Sequence, residues 1–100
     1  MQRLIEFTTD AESVQEIEAA VTSAFSALGE VCPEGVKLAY WKVPETRRFV
    51  AVIELEDAQH NPLLEIDAAA ALPRVIGERV EGGYPVPQAV ELIGSYGFEL

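Results

Sequence analysis

Some of the plainest features of this 100-residue sequence are the things it nearly lacks. It has a single cysteine, Cys32, so no internal disulfide can form, and no CxxC-type zinc cluster can be built. Cys32 sits beside Pro33 in "GEVCPEG" with no histidine or second cysteine nearby to activate it, which reads as a structural thiol. Basic residues are also scarce. Seven Lys and Arg stand against 17 Asp and Glu, a net charge of −10. That balance argues against a nucleic-acid partner, since affinity for phosphate backbones comes largely from Lys and Arg, and against an anionic membrane surface. Long hydrophobic runs are missing too. No unbroken apolar run exceeds Ala68–Leu72, far too short to cross a bilayer, and "MQRLIEFTTD" interrupts its apolar stretch with Glu6, unlike a signal peptide. These absences predict a reduced, cytoplasmic protein with no cofactor, its acidic surface serving solubility.

What is present is a core. Hydrophobic residues make up 49% of the chain, enough for one domain over residues 1–100. Residues 3–8, "RLIEFT", alternate as a strand, with Ile5 and Phe7 on one face and Leu4, Glu6 and Thr8 on the other. Thr9 followed by Glu12 has capping-box spacing, and Val14, Ile17, Val21, Ala24, Phe25 and Leu28 then recur at steps of three and four. The helix they define is expected to end at Gly29.

"VKLAYWKV" and "RFVAVIELE" read as a hairpin around "PETR". A turn centred on Glu45-Thr46 pairs Val43 with Arg48, Trp41 with Val50, Ala39 with Val52 and Lys37 with Glu54, and the last pair sets opposite charges across from each other. Val36, Leu38 and Tyr40, with Phe49, Ala51, Ile53 and Leu55, form the other, almost wholly apolar face, expected to lie under helices. For the next segment two starts compete. Either a helix begins at Pro62 with Asn61 as cap, or residues 61–66 are extended and a helix runs from about Ala68 to Val80 with Asp67 as cap. The stripe Leu72, Val75, Ile76 and Val80 favours the second, although Pro73 must kink the helix or start a new turn. "EGGYPVP" is a loop, and "QAVELIGSY" a last strand.

The order β-α-β-β-α-β predicts an α+β, ferredoxin-like arrangement: one four-stranded antiparallel sheet with two helices on one face. In a chain of this length it resembles the dimeric α/β-barrel group, which includes the antibiotic-biosynthesis-monooxygenase-like proteins and relatives of haem-degrading monooxygenases. "YWKVPETRRFVAVIELED" and "ELIGSYGF" also look like small actinobacterial proteins of unknown function. The resemblance implies two sheets packed open face to open face, and a pocket between sheet and helices in each subunit. It carries no catalytic residue across. Haem-degrading members use an Asn, a Trp and a His from the first strand, third strand and second helical region. Here the first strand ends in Thr8 and Thr9, Trp41 is on the second strand, and only His60 lies near the expected stretch.

The remaining candidates are few. His60, the only histidine, falls in a loop with Asp57 as its one nearby carboxylate, and reads as a polar loop residue. Glu6, Glu54 and Glu91 could meet on the open sheet face for acid–base work or a hard cation, but Glu54 already faces Lys37. Arg47 and Arg48 flank the hairpin tip, where a solvated tip is the simpler reading. "EGGY" lacks the glycine spacing of a phosphate loop. Tyr40, Trp41 and Tyr84, with Glu54, are the candidate ligand-binding residues, the aromatics as walls of a pocket for a small apolar molecule. Two function classes follow: a homodimeric small-molecule binder or cofactor-free monooxygenase, and a noncatalytic dimeric domain whose aromatics are core and interface.

Overall fold

A computed structural model describes residues 1–97. The elements are β1 (Gln2–Thr8), α1 (Val14–Val31), β2 (Val36–Lys42), β3 (Arg48–Leu55), a 3-10 turn (Pro62–Glu65), α2 (Asp67–Ala70), α3 (Leu72–Arg79) and β4 (Gln88–Val90). The four strands form one antiparallel sheet in the order β2-β3-β1-β4, the ferredoxin-like arrangement, with helices covering one face.

The hairpin register agrees with the sequence reading. Trp41 lies opposite Val50, Ala39 opposite Val52 and Lys37 opposite Glu54. The Val43 N–H donates to the Arg48 carbonyl at 3.0 Å, closing the turn, and the Lys37 ammonium stands 3.6 Å from Glu54. Glu45 takes a left-handed backbone (φ 63°), and the Thr46 hydroxyl holds the loop by donating to the Val43 carbonyl at 2.7 Å. Because side chains alternate along a strand, this register puts Phe49, Ala51 and Leu55 in the core. Phe7 and Phe49, directly opposed across β1 and β3, stack at 5.2 Å. From above, α1 inserts Ile17 and Ala24, and α3 inserts Leu72 and Ile76.

Four local expectations are corrected. Thr9 does not cap α1. Its hydroxyl donates to the Arg79 carbonyl 2.7 Å away, tying the end of β1 to the end of α3, and the helix begins at Val14 after a turn in which Asp10 accepts from the Ser13 N–H at 2.9 Å. Nor does α1 stop at Gly29. It continues to Val31 and ends on Cys32, whose left-handed backbone (φ 50°) directs its N–H to the Leu28 carbonyl at 2.8 Å; Pro33 then prevents further helix.

In the second helical region Asp67 is not the cap and residues 61–66 are not simply extended, although the break expected at Pro73 is there. The Asn61 side chain accepts from the Leu63 N–H at 3.0 Å and starts a 3-10 turn at Pro62, the earlier of the two weighed starts. Extended Ile66 then separates that turn from α2. Pro73, which has no N–H to donate back into the preceding turn, sits in the first turn of α3, so the chain restarts there instead of continuing α2. Finally, β4 covers only Gln88–Val90. Val90 already lies opposite Gln2, the first residue of β1, so the expected strand over 88–96 has nothing further to pair with.

Candidate functional site

The ordered half of the helical layer, α1, packs its apolar stripe directly on the sheet. Beside β2 it leaves open grooves, whereas the space under the broken half is more enclosed. Between the sheet and the segments from Asn61 to Pro73 lies a cavity of about 110 Å³. Its floor is the helix-facing side of the three long strands, Ile5, Leu38, Tyr40, Ala51 and Ile53; its roof includes Leu63, Ala69 and Leu72. Arg3, Leu64, Tyr84 and Pro87 also line it and are exposed, so they mark its rim.

Tyr40 and Tyr84 come to this cavity from opposite directions. Tyr40 stands on β2 among the floor residues, its ring edge-on to Phe25 of α1 at 6.2 Å. Tyr84 belongs to the loop between α3 and β4. Gly77 of α3 lets that loop come close: a β-carbon at Gly77 would lie 3.4 Å from the Tyr84 backbone nitrogen. Burial pushes the Tyr40 phenol far above its ordinary range, with the nearby Tyr84 adding a smaller push in the same direction. Burial also raises Tyr84. Both are therefore neutral phenols at physiological pH, able to donate a hydrogen bond.

The other candidate residues lie elsewhere. Trp41, next to Tyr40 in the chain, points to the opposite side of the sheet and is 44% exposed. Glu54 is on that open face as well, accepting from the Gln2 amide at 3.0 Å and paired with Lys37. Glu6 shares the face but is opposite Val50, four residues along β3 from Glu54, and its carboxylate is paired with Arg48 at 2.5 Å. Glu91 falls beyond β4. The three carboxylates are not assembled, and among the described residues no group of three or more His, Cys, Asp or Glu is placed to hold a metal ion. His60 is exposed in its loop. Its contact with Asp57 is through the backbone, the His60 N–H donating to the Asp57 carbonyl at 3.1 Å, while the Asp57 carboxylate accepts from the Gln59 N–H at 2.9 Å. Cys32 is exposed, its thiol donating to the Gly29 carbonyl.

Sequence reasoning missed Arg3 and the roof of the cavity. Arg3 shares its strand face with Ile5 and Phe7, a signal present in the alternation of "RLIEF". The roof depends on how a proline-broken segment settles, which no periodicity reports.

Compared with protein-family models, curated proteins and solved structures, the chain matches none.

Proposed function

We propose that this protein binds a small apolar molecule between its sheet and the Asn61–Pro73 segments, and that it does so as a homodimer joined through the open sheet face. The binding part rests on one observation, the apolar cavity under the broken helical layer with two tyrosines reaching it. Concave, mostly apolar sites with a few converging polar groups are the usual form of a ligand pocket. The titratable groups that line it are Arg3, Tyr40 and Tyr84. Neither phenol is a base at neutral pH, since a tyrosine keeps its proton there and burial raises both further. That favours binding over an oxygenase that must first deprotonate its substrate.

The dimer part is supported by the open face. Leu4, Ala39, Trp41, Val50 and Val52 form an apolar patch there, bordered by the Lys37–Glu54 and Arg48–Glu6 pairs. A two-fold contact between two such faces would cover it.

One set of measurements tests both parts. Native mass spectrometry and an absorption spectrum of the purified protein should show a dimer, and benzyl alcohol titrated into it should bind one molecule per chain. Ala51→Leu, which fills the cavity floor, should abolish that binding while the fold persists. Trp41 is the only tryptophan, so its emission should move to the red as the dimer is diluted apart. A 10.9 kDa monomer at micromolar concentration would remove the dimer, and benzyl alcohol binding that survives Ala51→Leu would remove the pocket.

A further inference from the structure

The chain carries 17 acidic residues, and most of its few basic side chains are spoken for. Lys37 pairs with Glu54, Lys42 with Glu18, Arg48 with Glu6, and Arg79 with Glu16 and Glu78. Arg3, Arg47 and Arg74 have no carboxylate within ion-pair distance among the described residues. Of these three only Arg3 lines the cavity. Its isolation has a structural cause. Arg3 is on the helix-facing side of β1, whereas Glu6 and Glu54, the acidic residues of β1 and β3, project from the other side of the sheet. Its cross-strand partners are Ile53 and Ala89, both apolar. A guanidinium thus stands at the rim of an apolar cavity in a strongly acidic protein, with no carboxylate within ion-pair distance among the described residues.

We infer that the ligand is a small monocarboxylate with a compact apolar body, its body among Ile5, Ala51, Ile53 and Leu63 and its carboxylate at Arg3. This rests on the pocket reading above and names its ligand class. The cavity's size supports it. At about 110 Å³ it is smaller than the cavities of about 150 Å³ known to enclose a benzene ring. A ring-sized molecule must therefore extend past the rim, and the part that extends meets Arg3 and the exposed Tyr84. Guanidinium and carboxylate match in geometry, and their charge-assisted hydrogen bonds are stronger than neutral ones. The neutral phenol of Tyr84, on the same rim, is a further donor for the anion. A cationic ligand would meet Arg3 unfavourably, and a neutral one would leave it unused.

Benzoate and benzyl alcohol, which share a ring and differ in the head group, make the test. Titrated by calorimetry or by amide chemical shifts at low salt, benzoate should bind the native protein about fivefold or more tighter than benzyl alcohol, the advantage shrinking as salt is added. Arg3→Gln should bring the two within about twofold of each other, whereas Arg74→Gln, an exposed arginine that does not line the cavity, should keep the preference. Equal affinity for the two probes in the native protein, or a preference that survives Arg3→Gln, overturns the carboxylate assignment and leaves the pocket standing. Binding of neither probe removes the pocket and this assignment together.

Discussion

The fold crosses over its sheet twice, and the two crossings are built differently. The first, from β1 to β2, is a single 18-residue helix whose apolar stripe seats Ile17 and Ala24 with no exposure. The second, from β3 to β4, is a 3-10 turn, two short helices and a loop, interrupted by Pro62, Pro73, Pro85 and Pro87. It too has a fully buried anchor, Ile76, but between its Asn61–Pro73 part and the sheet it leaves a cavity. A continuous helix can present one regular ridge to a sheet and fill the space beneath it. A layer interrupted by a 3-10 turn, an extended residue and two prolines presents no such single ridge. In this protein both crossovers supply core, the regular one leaving open grooves beside β2 and the interrupted one the more enclosed cavity.

The largest effects should come from the two anchors. Ile17→Ala and Ile76→Ala each remove a side chain with 0% exposure, and each should cost about 2–5 kcal/mol in denaturant unfolding. If only Ile17→Ala proved so costly, the second crossover would be a loosely attached layer instead of half the core. Adding volume sharpens the contrast further. Ala24→Leu overpacks the closed side and should cost about 1–3 kcal/mol. Ala51→Leu extends into the cavity floor and should cost less than about 1 kcal/mol, for the leucine meets space. Equal penalties at the two alanines would mean that the two sides are packed alike.

The same difference explains what could be read from the residues alone. The hairpin register followed from turn position and the Lys37–Glu54 pairing, because cross-strand neighbours are fixed by counting from the turn. The α1 stripe followed from its spacing. The errors lie where a distant partner decided the outcome. Thr9 has the spacing of a cap, yet its hydroxyl is taken by Arg79, 70 residues away. Gly29 looks like a terminator, but a helix continued past it and ended on Cys32 at the cost of a left-handed backbone. In the second crossover Pro62 and Pro73 marked where helix starts or breaks were expected. Nothing local fixed how the pieces would lie over the sheet. Of the candidate ligand residues, Tyr40 and Tyr84 reach one cavity, while alternation sends Trp41 to the other face and Glu54 with it. Arg3 was legible as a strand residue, and its lack of an ion-pair partner among the described residues only as a fact of three dimensions.

The smallest effect at neutral pH should be that of Tyr40→Phe, and its value lies in alkali. Tyr40 is on the cavity floor, and burial raises its phenol well above the ordinary value of 10.0. The native state therefore keeps a proton that the unfolded chain releases once the pH passes about 10. Stability from this group is complete below that pH and is lost as the pH climbs from there toward the raised native value. Denaturant midpoints measured from pH 8 to 11 should be flat at first and then fall. Tyr40→Phe has no proton to lose, so its midpoint should match the native protein's at pH 8 and fall less steeply above pH 10. Absorbance near 295 nm should show one fewer late-titrating phenol in the variant. Parallel decline of the two proteins would mean that solvent fills the floor of the cavity and that the second crossover covers it less than the packing implies.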